Sequence, residues 1–160
     1  MPPSLLDAIL DGPFALTPRP EPVPGDLRRG WGIALVVLML GNSRGKRASL
    51  QKLHFLAHSI RTRQTRFQVQ QIFAHTLRSS DLLIRFEPWL SRALSFATGA
   101  GLIDLQGGRS AKLKEPGLQF LDVLYHDETL FTEEKQFLDA VGALATERTV
   151  EKIMRLELLL

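Results

Sequence analysis

The chain has 160 residues, a length typical of one domain with appendages rather than of two independent hydrophobic cores. Its hydrophobic fraction of 44% and charged fraction of 23% are ordinary for globular proteins, so we expect a packed core. The sequence contains no cysteine, which excludes a disulfide framework and every cysteine-based zinc or redox site.

No segment has the pattern of a targeting or membrane-spanning sequence. The N-terminal apolar stretch contains Asp7 and Asp11 and lacks a preceding basic region, which is unlike a signal peptide. The longest apolar run, residues 33–40, is far shorter than the roughly 20 residues that span a bilayer. We interpret this run as a helix buried on most sides, and we expect a soluble cytoplasmic protein without membrane contact.

Charge is distributed unevenly, although the net charge of the whole chain is only +3. Residues 27–86 contain eleven Lys or Arg residues and a single acid, Asp81, whereas residues 126–160 contain eight acids and four bases. A basic body with an acidic tail indicates one surface for a polyanion and another for a protein partner. Two solvated helix faces explain the same pattern equally well.

The first 26 residues are predicted to form an arm, because they hold seven of the nine prolines. Residues 18–24 read Pro-Arg-Pro-Glu-Pro-Val-Pro, which is typical of a stiff, extended spacer. The apolar segment 4–10 precedes this spacer. We interpret it either as a docking peptide for a partner or as a strap across the protein's own surface.

Three helices are predicted after the arm. The first covers residues 27–40, with Asp26 as its cap and a glycine and an asparagine at its end. Ser49 is expected to cap the second, in which apolar residues recur at helical spacing over residues 50–60. The third is expected over residues 67–77.

Residues 85–125 have the order of elements that is typical of a winged helix. Pro88 is tolerated in the first turn of a helix, and apolar residues follow it at helical spacing. Two short strands, residues 102–105 and 111–114, flank a pair of glycines that suits a tight hairpin turn. Another helix is predicted from Glu115 onwards.

Two further helices, residues 132–145 and 146–158, are predicted in the tail. The predicted fold is therefore mainly α-helical: a winged-helix-type domain, with a short β-hairpin as its wing, and extra C-terminal helices. It has three parts, namely a proline-rich N-terminal arm (1–26), a winged-helix-type core (27–125) and an acidic C-terminal helical extension (126–160).

The sequence offers little for catalysis, since it has no phosphate loop, dinucleotide fingerprint or nucleophile elbow. His54 and His58 are four residues apart on one predicted helix, a spacing that can bind a metal ion. The segment lacks the glutamate of the zinc-protease motif, however, and no third ligand stands nearby. We expect both histidines to be structural or exposed, and we expect no metal, no cofactor and no catalytic activity.

Basic residues are the candidates for a surface that binds nucleic acid or a partner. One cluster precedes a predicted helix N-terminus, where phosphate contacts are common, and a second lies at the next helix junction. Others lie in the predicted wing and on the helix before it, which corresponds to a recognition helix. The set comprises Arg44, Lys46, Arg47, Arg61, Arg63, Arg66, Arg92, Arg109, Lys112 and Lys114.

The predicted recognition helix is poorly suited to reading bases. Its exposed positions offer mainly Ser91, Arg92, Ser95 and Thr98, and only the arginine is a long hydrogen-bond donor. We therefore expect non-specific contact with DNA, or contact with an acidic protein, in place of sequence-specific readout.

Several runs of residues resemble the middle component of bacterial three-component ABC-ATPase systems, which include the Lamassu type of anti-phage defence. They are R-A-S-L-Q-K-L-H-F-L at 47–56, E-P-W-L-S-R-A-L-S-F-A at 87–97 and G-L-I at 101–103. The opening R-G-W-G at 29–32 lies where that family begins its core. The resemblance covers about residues 27–125.

The resemblance implies a non-catalytic winged-helix subunit beside an SMC-like ATPase and a nuclease effector. Its role would be to bridge the two and to hold the effector inactive until foreign DNA is sensed. The basic face would lie near DNA or the ATPase, and the arm and tail would dock onto partners. The apolar docking candidates are Leu5, Leu6, Ile9, Leu10, Ile153, Leu159 and Leu160.

An alternative function is a free-standing winged-helix transcriptional regulator. Such a protein would form a stable homodimer and bind one operator tightly. The composition of the predicted recognition helix argues against it.

Overall fold

The computed structural model describes the backbone of residues 25–157 and the side chains of residues 28–155. These residues form a mainly α-helical fold with one small antiparallel sheet. The helices are α1 (Gly25–Gly41), α2 (Leu50–Ile60), α3 (Arg63–Phe73), α4 (Pro88–Gly99), α5 (Glu115–His126), α6 (Thr132–Val141) and α7 (Glu147–Glu157). The strands are β1 (Arg47–Ser49), β2 (Ile103–Gln106) and β3 (Ser110–Leu113), and short 3-10 turns cover Arg44–Lys46 and Ser79–Asp81.

Helix α1 lies at the centre of the fold. Its residues 34–40 are each at most 3% exposed, and α4, α5, α6, α2 and the sheet pack around it. A helix that is apolar on all sides is stable only when its neighbours cover every side. The prediction of a buried helix over this run is confirmed. Across residues 25–157, no helix is both long and apolar enough to cross a membrane.

The sheet has the strand order β1-β3-β2, and both neighbouring pairs are antiparallel. Strands β2 and β3 form the predicted hairpin, in which Gly107 and Gly108 adopt φ values of 59° and 64°. Glycine reaches this left-handed region without steric cost, as the first two positions of the three-residue loop between the paired residues Gln106 and Ser110 require. Sequence analysis does not predict β1, because three residues are too few to display an alternating pattern.

Helix α3 begins and ends earlier than the apolar spacing predicts, so the expected range 67–77 is wrong. At the start of this helix, Thr65 Oγ1 accepts a hydrogen bond from Thr62 N, and Thr62 Oγ1 accepts one from Thr65 N, both at 3.1 Å. This reciprocal arrangement is a capping box built from two threonines, without the glutamate or glutamine that usually marks the motif in a sequence. The helix ends at Phe73, and two residues later His75 adopts a left-handed backbone conformation with a φ of 59°.

Ser49 caps α2 as predicted, and it also joins α2 to the C-terminal extension. Its Oγ accepts a hydrogen bond from Lys52 N at 3.0 Å. The same hydroxyl donates to Glu147 Oε2 at 2.5 Å, and Ser49 N donates to Glu147 Oε1 at 2.9 Å. Helix α7 is therefore anchored by its first residue to the start of α2.

Helices α6 and α7 share one hydrophobic core with the preceding helices, to which they contribute Phe137, Leu138, Val150 and Ile153. Ile153 is only 5% exposed, because it packs inside this chain, and it is not available as the docking residue that sequence analysis expects. The other apolar docking candidates lie outside the described residues. They are Leu5, Leu6, Ile9, Leu10, Leu159 and Leu160.

Substitution of Gly117 by alanine is expected to destabilise the fold. A Cβ atom at this buried position in the first turn of α5 would lie 2.1 Å from Leu102 O, which is backbone and cannot move aside cheaply. Overpacking of this kind costs about 1–3 kcal/mol of unfolding free energy. The matched control is Gly30→Ala in α1, where a Cβ meets nothing within 4 Å and helix propensity favours alanine by up to about 1 kcal/mol. Urea unfolding followed by circular dichroism measures both, and equal stability of the two variants would contradict the packing described.

Candidate interaction surfaces

The pairing of β1 with β3 brings two of the predicted basic clusters together. Arg47 of β1 lies directly opposite Lys112 of β3, and both side chains are exposed. The hairpin turn reaches the other end of β1, since Leu50 N donates to Arg109 O at 2.9 Å. Arg44 is exposed in the 3-10 turn that packs on β3. We call the surface formed by Arg44, Arg47, Arg109 and Lys112 the sheet surface.

Cross-strand contacts hold the sheet surface in place. Arg47 Nε and Nη2 donate to Ser110 Oγ at 3.3 and 3.2 Å, which lays the guanidinium along the sheet. Asp104 of β2 is paired in register with Lys112, so one carboxylate lies among these cations. Lys114 is exposed immediately after β3. The surface thus presents four or five basic groups, a number that would displace several counterions from a nucleic acid if each met a phosphate.

Lys46 has a structural role. Its Nζ donates to Gly41 O at 2.6 Å, at the C-terminal end of α1. A cation there satisfies a carbonyl that has no partner inside the helix, and it interacts favourably with the helix dipole. Sequence analysis assigns Lys46 to a phosphate-binding loop, whereas its ammonium group is turned back onto α1.

The second predicted cluster also makes contacts within the chain. Arg63 and Arg66 at the start of α3 both donate to the carboxylate of Glu133 in α6. Arg61 Nη1 donates to Glu87 Oε1 at 3.2 Å, and Glu87 is only 5% exposed. The hydrogen bond from Arg63 lowers the pKa of Glu133, with the charges of both arginines acting in the same direction. These three arginines tie α2 and α3 to α6 and to the start of α4, a role that the sequence pattern does not reveal.

The two histidines of α2 fasten the segment that leads into α4. Arg85 N donates to His58 Nδ1 at 3.3 Å, and the same nitrogen lies 3.7 Å from Glu87 Oε1. The ring of His54 packs edge-on against Phe86, with ring centroids 4.6 Å apart. Both histidines therefore pack in the structure, one of the two outcomes that sequence analysis expects. Within the described residues, no group of three or more His, Asp or Glu residues is placed to hold a metal ion.

A groove of about 860 Å³ lies between the N-terminal part of α1 and α4. Gly32 lets the two helices approach closely, since a Cβ there would lie 3.2 Å from Ala93 Cβ and 3.4 Å from Trp89 Cε3. Sequence analysis anticipates only one residue of this groove, Arg92, as a functional candidate. We call it the α1–α4 groove, and its charged and aromatic lining consists of Arg28, Arg29, Arg92, Trp89 and Phe96.

Comparisons of the chain with protein-family models, with curated proteins and with solved structures found no match. The resemblance to the middle component of ABC-ATPase defence systems therefore stays a prediction.

Stability is expected to fall in mildly acidic solution because of His54. Burial lowers the pKa of this histidine, so the unfolded chain binds the proton more readily than the folded chain does. Stability then rises with pH up to the unfolded pKa of about 6.5, and it is lost as the pH falls below that value. Urea midpoints at about pH 5.5 and about pH 7.5 should differ in this direction.

The variant His54→Gln should reduce that difference, because glutamine does not titrate in this range. His75→Asn is the control, since His75 is exposed and asparagine tolerates its left-handed conformation. A difference of the same size in His54→Gln would assign the pH dependence to another group.

Proposed function

We propose that this protein is a non-catalytic winged-helix subunit that bridges an SMC-like ABC-ATPase and a nuclease effector in an anti-phage defence complex. The observation that carries the winged-helix part is the strand order β1-β3-β2. β1 precedes α2, α4 leads directly into the β2–β3 hairpin, and β1 pairs with the far strand of that hairpin. This arrangement of helices around a three-stranded sheet with a hairpin wing is the one expected of a winged helix. The ATPase and nuclease partners rest on the sequence resemblance alone.

Non-specific contact with DNA is proposed for the sheet surface. Its cations lie on one exposed face, where they can reach successive phosphates. Helix α4 is less suited to reading bases, because its exposed residues Ser91, Arg92 and Ser95 line the α1–α4 groove beside a second helix. A free-standing regulator would need these positions open to the major groove. These positions carry two serines and a single long donor, Arg92, a composition that favours the subunit over the regulator.

The proposed protein-docking surface includes the junction of α5 and α6. A shallow depression there is lined by Asp122, Val123, Asp127 and Glu128, together with His126. Val123 is exposed among these residues, and Leu130 is exposed a few residues further along the chain. An exposed apolar residue surrounded by carboxylates is typical of a rim that meets a basic partner surface.

Affinity purification of the full chain from cells that express its native operon tests the subunit proposal directly. Stoichiometric recovery of a large SMC-like ATPase together with a nuclease, identified by mass spectrometry, is the expected result. Recovery of the chain alone as a homodimer would contradict the proposal and favour the transcriptional regulator.

The double substitution Arg47→Ala and Lys112→Ala is expected to weaken duplex DNA binding equally for all sequences. Each lost phosphate contact reduces the slope of log affinity against log salt by about 1, so the slope should fall by about 2. Fluorescence anisotropy over a series of salt concentrations measures both quantities. The control is Arg78→Ala with Arg85→Ala, which removes two exposed cations. Arg85 lies against His58, near the end of α2 that is farther from the sheet. An unchanged slope in the first variant would rule out the sheet surface as the DNA contact.

A further inference from the structure

The two tryptophans of the chain pack on each other at the edge of the α1–α4 groove: Trp89 lines it, and Trp31 adjoins Trp89. The ring centroids of Trp31 and Trp89 are 5.1 Å apart with planes tilted by 60°, and Trp31 is 38% exposed. Further along α4, Phe96 is 43% exposed. Exposure of large aromatic rings on a shared surface is unfavourable in water, and such surfaces commonly serve as binding sites.

Cations alternate with these rings along the groove. On α4, Trp89, Arg92 and Phe96 follow at helical spacing and share one face. On α1, the guanidinium of Arg29 lies 5.1 Å from the ring centroid of Phe96. Arg29 contacts Phe96, near the end of α4, whereas Trp31, further along α1, contacts Trp89, near the start of α4. The two helices therefore run in opposite directions.

The groove is positively charged along its length. Three arginines line it, and the described residues contribute no carboxylate to its lining. The hydroxyl groups of Ser91 and Ser95 add short hydrogen-bond donors between the arginines. Its volume of about 860 Å³ lies within the range of about 300–1,000 Å³ typical of ligand sites.

We propose that the α1–α4 groove binds single-stranded nucleic acid. Successive bases stack on Trp31, Trp89 and Phe96, and the phosphates between them bind Arg28 and Arg92. Base stacking on an exposed aromatic side chain contributes about 1–3 kcal/mol per base and tolerates any base. A duplex cannot use these rings, because its base faces are already stacked on one another. The proposal concerns a different surface from the duplex contact and does not depend on it.

Single-stranded nucleic acid fits the groove better than an acidic peptide does. In a single strand, phosphates recur at regular intervals between planar bases. In the groove, Arg92 likewise lies between the planar rings of Trp89 and Phe96. An acidic peptide would satisfy the arginine charges, but a run of carboxylates offers no aromatic ring to stack on the exposed rings. A strand with exposed bases matches the arginines of the groove with its phosphates and the aromatic rings with its bases.

The position of both tryptophans makes intrinsic fluorescence a specific reporter of this site. Titration of the full chain with an oligothymidylate of about ten nucleotides should quench tryptophan emission to saturation. The variants Phe96→Ala and Arg92→Glu should each weaken binding by about fivefold or more, and Phe96→Tyr should keep the affinity because the ring remains. Circular dichroism verifies that each variant is folded.

Matched controls separate the groove from the rest of the surface. Phe67→Ala and Arg78→Glu change an exposed ring and an exposed cation elsewhere, and both should bind as the unaltered chain does. The Arg47→Ala, Lys112→Ala variant should also retain quenching, which distinguishes this site from the sheet surface. A duplex of the same length and a polyglutamate peptide of matched charge should cause no saturable quenching.

Three outcomes would overturn the proposal. The first is the absence of saturable quenching by the oligonucleotide. The second is equal affinity in Phe96→Ala, Arg92→Glu and the unaltered chain. The third is quenching by polyglutamate at matched concentrations, which would identify the groove as a site for acidic peptides.

Discussion

The burial of α1 is the constraint on which the other elements depend. Residues 34–40 are apolar on every side of the helix, so each neighbour has to present a covering face. Helices α4 and α5 supply most of the cover, and the sheet, α2 and α6 complete it. The charged residues of α1 and its exposed tryptophan, Trp31, therefore lie in the first part of this helix. The α1–α4 groove lies at its beginning, and the chain enters the sheet surface just beyond its end.

The uneven charge of the chain contributes to the fold itself. A buried carboxylate such as Glu87 is costly without a cation, and Arg61 supplies one. In the acidic extension, Glu133 accepts from two arginines of α3 and Glu147 accepts from Ser49. Part of the basic excess thus attaches the extension to the body. Other cations remain exposed, and those of the sheet surface and of the α1–α4 groove lie in clusters.

Local signals made several elements predictable. Gly107 and Gly108 specify a hairpin by their own backbone preferences, and Ser49 specifies a helix start by its hydroxyl. Long-range contacts left no such signal. β1 exists only through pairing with β3, and nothing in the sequence around Trp31 indicates that it meets Trp89.

The predicted boundaries of α3 are wrong for another reason, since its capping residues are threonines and its first aromatic residue, Phe67, is exposed. The sequence therefore predicts most helices and the β-hairpin, and it predicts the cations of the sheet surface without their arrangement.

The strand pairing also determines when the sheet surface can form. The β2–β3 hairpin joins neighbouring residues, and hairpins of this kind close within about 1–10 μs. β1 has to wait for β3, because the loop between Arg47 and Lys112 contains α2, α3 and α4. Closing a long loop costs entropy before its contacts repay it, so such pairings form late in folding. During synthesis on the ribosome, Arg44 and Arg47 are made well before β3, the strand with which Arg47 is aligned. The cations of the sheet surface are therefore aligned only in a chain whose core has already assembled.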